Sequence, residues 1–225
     1  MKIETIEVSG LKGAMLGMRN PLNSWEKSDS KILYSDNSCY KLNEEVPDID
    51  GLSQVGNVRI GEADLKLAKT LSKAGSDHGK YLRMIHVQCN ITAPTYWIAE
   101  HDTYKVATIR NSCSFMHKGV AKEITLENFS TEEIDDANSN IWKSVIAELN
   151  RLREKYLETK GYKYFRAIRQ LLPSGWEILY TWDASYETLK NIYHSRKNHK
   201  LEEWHTFCDW IETLPYSELI TITKN

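Results

Sequence analysis

The sequence predicts an α/β fold of the α+β kind, a mixed or antiparallel sheet with long flanking helices, on three observations. Residues 2–8 alternate, with Ile3, Thr5 and Glu7 facing one way and Glu4, Ile6 and Val8 the other, the two-residue period of a strand. A second extended run, rich in aromatics, covers residues 176–182. Between them Ile134, Ala137, Ile141, Val145, Leu149, Leu152 and Tyr156 recur at helical spacing and draw one long apolar stripe. The 225 residues are 41% hydrophobic, enough for one sizeable core, so a single domain spanning residues 1–225 is expected.

Taken in order, the first strand closes at Ser9-Gly10 and a short helix follows through Ala14, Met15 and Leu16. Residues 17–30 are dense in turn formers and carry Arg19 and Trp25, so they read as an ordered surface loop or as one wall of a ligand site. Residues 35–61 are polar and aperiodic, an excursion rather than a linker. Leu65, Leu67, Ala68 and Leu71 mark a helix over residues 62–74 that Gly75 ends. Residues 81–91 read as a strand, and Tyr96, Trp97 and Tyr104 as aromatics flanking it, suited either to stacking on a ring or to the core.

The long stripe belongs to a helix over residues 130–160, with Ser130 and Glu133 as a capping box and Gly161 as its end. Such a stripe serves core or subunit packing rather than a cofactor. A shorter helix carries Arg166 and Arg169 and stops at Leu172-Pro173, since proline cannot continue it. After the aromatic strand, Asp183 or Ser185 caps a helix whose buried face is Tyr186, Leu189, Ile192 and Tyr193, and which carries Asn191 and Arg196. Arg169 and Arg196 thus flank a helix–strand–helix turn at which two guanidinium forks can converge on one anion.

Composition argues against several classes. Lysine and arginine number 29 against 31 acidic residues, a net charge of -2, whereas a duplex nucleic-acid groove needs a basic excess. The four cysteines, Cys39, Cys89, Cys113 and Cys208, show no metal-like pairing, which suits a reducing compartment. No stretch has the apolar length of a membrane span, and the first residues lack the apolar core of a signal peptide, so a cytoplasmic protein is expected. His194, His199, His205 and Cys208 match no closed zinc module, and no metal site is assigned. Cys113 reads as a packing or hydrogen-bonding thiol; a nucleophilic role would need a cation from Arg110, His117 or Lys118.

The order of these features resembles the flavin-dependent thymidylate synthase family. Its A-R-x-x-L-P segment is similar to Ile168-Arg169-Gln170-Leu171-Leu172-Pro173, and its N-x-R-S-L-x-N-F-L-x-x-R helix to residues 185–196, with Leu189, Asn191 and Arg196 in register. A later H-A-Q-W-E-like helix is met loosely by residues 199–204, and Leu214-Pro215 stands at the family's aromatic-proline stop. Upstream, Ala93-Pro94 and an aromatic-apolar run lead into the counterpart of Q-x-x-R-H-R-x-x-S, with Glu100 for the glutamine, Thr103, Tyr104 and Lys105 for R-H-R, and Thr108 for the serine. The following N-E-x-S-x-R-Y is met, with one insertion, by residues 111–117, in which Asn111 and Ser114 remain and the glutamate and arginine do not.

The resemblance implies a flavin-dependent thymidylate synthase-like fold assembled as a homotetramer, and methyl transfer to C5 of a pyrimidine deoxynucleotide monophosphate, dUMP or dCMP. FAD is the implied cofactor, with methylenetetrahydrofolate and NADPH as co-substrates. The implied nucleotide-binding residues are Glu100, Asn111, Ser112, Ser114, Arg169 and Arg196, with Arg196 also catalytic; those toward the flavin are Thr103, Tyr104, Lys105 and Asn191. Glu100 in place of a neutral amide favours a hydrogen-bond donor such as the exocyclic amine of cytosine. Because two of three R-H-R positions lack their cation or imidazole, a second reading is a non-catalytic nucleotide-binding relative.

Overall fold

The computed structural model describes residues 1–33, 39–42, 57–114 and 119–223, with residues 136–138 described in their backbone alone. Most of the polar excursion over residues 35–61 lies outside the described residues, as do His117 and Lys118. Seven strands are described: β1 (Lys2–Ser9), β2 (Lys31–Leu33), β3 (Cys39–Lys41), β4 (Asn57–Arg59), β5 (His86–Pro94), β6 (Thr108–Ser112) and β7 (Glu177–Ser185). The α-helices are α1 (Leu11–Gly17), α2 (Glu62–Lys73), α3 (Thr95–His101), α4 (Asp136–Thr159), α5 (Tyr162–Leu171), α6 (Tyr186–Arg196), α7 (Glu202–Glu212) and α8 (Glu218–Thr221). One sheet has the order β1-β5-β7-β6; a smaller one, β3-β2-β4, is antiparallel, pairing Ile32 with Tyr40 on one side and Val58 on the other. The expected α+β class with an antiparallel sheet and long helices is the one observed.

The chain forms two compact units: Met1–Glu4, Asn90–Lys105 and Arg110–Trp182 in the first, Thr5–Cys89, Val106–Ile109 and Asp183–Asn225 in the second. In the first, Val120, Ile124, Phe129, Leu149, Leu152, Ile168 and Trp176 make a buried cluster that joins α4 to α5. Phe129 meets Trp142 and Trp176 edge-on, the favoured arrangement for aromatic quadrupoles.

The stripe of α4 divides: Leu149 and Leu152 enter this core, whereas Ile141 is 63% exposed. The capping box expected at Ser130 and Glu133 is not made. Ser130 donates its amide to the Gly175 carbonyl, beside the Phe129–Trp176 bridge, and its hydroxyl to Glu132 at 2.7 Å. With its hydroxyl spent on Glu132 and its amide on Gly175, Ser130 has neither group left for a capping box, and α4 begins at Asp136. A capping box does form nearby, at Thr125 and Asn128, but on the separate 3-10 helix Leu126–Asn128. α5 ends before Pro173, as the proline requires.

In the second unit, Gly10 takes φ 83 after β1, and a β-carbon there would collide with the Met84 carbonyl, so only glycine fits. Residues 81–84 are not strand but part of a 3-10 helix, Gly79–Met84. Tyr81 and Leu82 are both buried in succession, which a tight helical turn permits and a two-sided strand with one wet face does not. The strand resumes at His86. Ser185 caps α6 by accepting from the Thr188 amide, and Tyr186, Leu189, Ile192 and Tyr193 are all buried as their spacing predicts. Lys190, 8% exposed, donates to the Ser72 carbonyl at 2.7 Å and so closes the last turn of α2 with a cation.

The loop of residues 17–30 is pinned by a buried ion pair. Arg19 Nε donates to Asp64 Oδ1 at 2.6 Å, Ser28 donates to Asp64 Oδ2 at 2.6 Å, and the Ser30 amide reaches the same oxygen at 3.2 Å. The Arg19 Nη atoms hold the Ser24 and Lys27 carbonyls. Arg19 is 5% exposed and Asp64 0%, so this arginine orders the loop rather than facing solvent. Removing one partner of such a pair strands a buried charge. Asp64→Asn is therefore expected to lower unfolding free energy by about 3–5 kcal/mol, read by urea denaturation, and a loss under ~1 kcal/mol would refute the pinning role.

Candidate functional site

The first unit holds most of the residues singled out from the sequence. α3 begins directly after Pro94 and ends at His101, so Tyr96 and Trp97 lie on a helix rather than beside a strand. Glu100 is half-buried on its last turn, and its carbonyl accepts from the Thr103 hydroxyl at 2.7 Å. Thr103 therefore spends its only donor on closing the helix. Tyr104 is half-buried and Lys105 exposed.

Trp97, His101, Tyr180 and Trp182 form a buried aromatic group. Trp97 stacks on His101 at 4.7 Å, Trp182 meets the imidazole edge-on at 4.6 Å, and the Tyr180 hydroxyl lies 3.2 Å from His101 Nδ1. Over the Tyr180 ring sits the Arg110 guanidinium, 5.3 Å from its centroid, held by Asp102 through Nη1 at 2.6 and 2.7 Å. Burial, and secondarily the Arg110 charge, push His101 down to about 3, so the imidazole is neutral in the folded chain.

Arg110 lies on β6, where every residue from Ile109 to Ser112 is exposed. Alternation along the strand puts Arg110 and Ser112 on one face and Asn111 on the other, so Asn111 and Ser112 address different surroundings. Beyond the strand, exposed Cys113 and Ser114 line a cavity of about 180 Å³ with Lys122, Glu123, Asn128 and Glu177 over a floor that includes Trp176 and Leu179. Of the proposed nucleotide residues, only Ser114 is in its wall. Arg169 is exposed on the last turn of α5.

In the second unit, Asn191 is exposed on α6 and Arg196 lies over the buried Trp204 ring at 4.7 Å, a cation–π contact. Asn191 and Arg196 thus share one helix, as read from the sequence, while Arg169 belongs to the other unit. The nearby histidines serve the backbone: His194 meets the Ile222 carbonyl, His205 the His199 carbonyl, and His199 Nδ1 accepts from the Leu201 amide. Among the described residues no cluster of metal-ligating side chains occurs. Burial pushes Cys208 up to about 11 and Cys89 up to about 12, which leaves both thiols protonated.

The sequence reading missed His101, Asp102 and Tyr180. His101 and Asp102 stand beside Glu100 in the sequence, but Tyr180 is distant, and no local pattern announces its meeting with them.

No family model matches the chain, and no curated protein matches its sequence. Solved structures do. The crystal structure of flavin-dependent thymidylate synthase ThyX from Helicobacter pylori complexed with FAD and dUMP is similar at a TM-score of 0.67 and 14% identity, over 100% of this chain and 100% of that one. A second structure of the Helicobacter pylori enzyme with FAD and dUMP gives 0.68 and 14%, over 99% and 100%. The fold of this chain is thus the flavin-dependent thymidylate synthase fold.

His101 carries a pH expectation. Its folded pKa lies below the unfolded value, so its contribution is complete above ~6.5 and is lost as pH falls from there toward 3. That loss approaches about 1.4 kcal/mol per pH unit. Urea titrations between neutral pH and pH 4.5 should show this slope in the wild type and a shallower one in His101→Phe; equal slopes would remove His101 as the cause.

Proposed function

We propose that this chain transfers a one-carbon unit, as methyl, to C5 of a pyrimidine deoxynucleotide monophosphate in a flavin-dependent reaction. The observation that carries this reading is the likeness, over the full length of both chains, to a structure complexed with FAD and dUMP. The local sequence order around Arg169, Asn191 and Arg196 supports it independently. In this reading Arg169 and Arg196 offer planar forks to the nucleotide phosphate or the pyrimidine carbonyls. Arg196, which packs over Trp204, is in this reading the group that touches the reacting ring. Asn111, Ser112 and Ser114 hydrogen-bond the nucleotide, and Glu100, an acceptor, favours dCMP over dUMP by selecting an exocyclic amine.

The donor set fits a flavin in part. Lys105 and Asn191 are exposed and offer a cation and an amide, and Tyr104 a ring; Thr103, its hydroxyl proton engaged by Glu100, can only accept. FAD, when bound, supplies the hydride, with methylenetetrahydrofolate as carbon donor and NADPH as reductant. The protein's own part is to orient the nucleotide and to meet its charge.

We also propose a homotetramer of single-domain subunits in the cytoplasm. Ile141 on α4 and Tyr162 on α5, 63% and 73% exposed, are apolar surface of the kind subunits cover. A monomeric mass by light scattering at micromolar concentration would overturn the assembly, and recovery in the membrane fraction of lysed cells the location.

The second reading, a nucleotide-binding relative without catalysis, is favoured by Thr103 and Tyr104 at the R-H-R positions. A flavin absorption band in the purified chain separates the two. For either reading, Arg169→Lys and Arg196→Lys should each weaken dUMP or dCMP binding at least about tenfold, or ~1.4 kcal/mol, because lysine keeps the charge without the fork. Calorimetric titration measures this, with thermal melts alongside expected to move little. Unchanged binding of both nucleotides in both variants would leave a shared fold without the anion site.

A further inference from the structure

Arg110 differs from five other described arginines in how its side chain is used. Arg83 turns its Nε and Nη2 edge onto Glu187, and Arg151 turns the same edge onto Glu148. Arg153 fills that edge with the Val120 and Ala121 carbonyls. In each the two parallel N–H groups are closed by oxygen. Arg59 and Arg166 make no such bond among the described residues and are exposed. Arg110 is anchored but open: Asp102 takes both of its oxygens to one nitrogen, Nη1, and the guanidinium rests over Tyr180. Among the described residues its Nε and Nη2 edge has no partner.

That edge is the one whose geometry matches two oxygens of a phosphate. A free surface arginine loses side-chain entropy when it binds an anion; here the carboxylate and the ring hold the guanidinium beforehand, which lowers that cost. Asp102 sits at the opposite end of the guanidinium from the open edge, so its oxygens do not obstruct an anion there. Ser112, two residues on along β6, shares the face of Arg110 at a separation of about 7 Å, near enough for its hydroxyl to donate to the same phosphate or pyrophosphate.

We propose that Arg110 and Ser112 form a phosphate subsite on the exposed face of β6. Its assignment to the phosphate of a deoxynucleotide monophosphate or the pyrophosphate of FAD rests on the proposed function; the subsite itself rests on the geometry of Arg110. A cation so placed offers charge beside the turn where Thr103 and Tyr104 offer none.

Phenylglyoxal modification of arginines in the full chain, mapped by mass spectrometry, tests this residue by residue. Pyrophosphate should slow modification of Arg110 about tenfold relative to chloride at equal ionic strength, corresponding to ~1.4 kcal/mol of preferential binding. Arg59 and Arg166 are internal controls and should react unchanged, and Ser112→Ala should reduce the protection. An Arg110 rate indifferent to pyrophosphate overturns the subsite. FAD against riboflavin, and dUMP against deoxyuridine, identify the source, because only the phosphate-bearing member of the relevant pair should protect. Protection by pyrophosphate with none from FAD, dUMP or dCMP would uphold the subsite and sink its assignment to the proposed reaction.

Discussion

The constraint on which the candidate site most depends is the direct passage of β7 into α6 without a loop. Ser185 is the last residue of the strand and the cap of the helix at once. Tyr186 then fixes the junction twice, its amide on the Ile85 carbonyl and its hydroxyl on the Pro215 carbonyl. With the start of the helix set, periodicity settles the rest: Leu189, Ile192 and Tyr193 turn inward, so Asn191 faces solvent. A slip of one residue at Ser185 would rotate the helix by about 100° and bury the amide. Placement of the polar groups is thus a consequence of a cap and a packed tyrosine.

Arginine illustrates how much the surroundings decide. Arg19 is sealed against Asp64 of α2 through Nε and spends both Nη atoms on the loop it orders. Arg110 meets Asp102 where both are partly exposed, a setting in which such a pair contributes roughly 0–1 kcal/mol to stability. Arg196 holds its guanidinium carbon 4.7 Å from the centre of the Trp204 ring. One buried arginine therefore holds structure, while the exposed ones can change their partners at little cost to the fold.

Legibility in the sequence followed the range of the interactions. The α5 stop at Pro173, the Ser185 cap and the buried face of α6 are local, and each was readable from a few adjacent residues. The start of α4 was not, because Ser130 is captured by Gly175, a partner far along the chain, and leaves its apparent capping box unused. Residues 81–84 of the expected strand are helical instead, and there the Tyr81 hydroxyl donates to the Ala68 carbonyl of α2. The same distinction governs the site. Arg169, Asn191 and Arg196 were singled out by a resemblance in local sequence order, whereas the approach of Tyr180 to His101 joins residues that no periodicity connects.

Fold and chemistry here answer to different selections of residues, which is how 14% identity accompanies a full-length match in shape. The fold is held by the buried set, in which volume and apolar character suffice and identities can drift. Lys105, Asn111, Ser112, Ser114, Arg169 and Asn191 are all exposed, so replacing any of them costs the core little. Thr103 at an R-H-R position is tolerated on the same ground, and it adds a helix-closing hydrogen bond of its own. Core packing therefore does not dictate the identity of Thr103 or Asn191, whereas Arg196 also packs over Trp204. The arginine on α5 and the amide on α6 are both exposed, so the buried set that holds the fold leaves their identities free to vary.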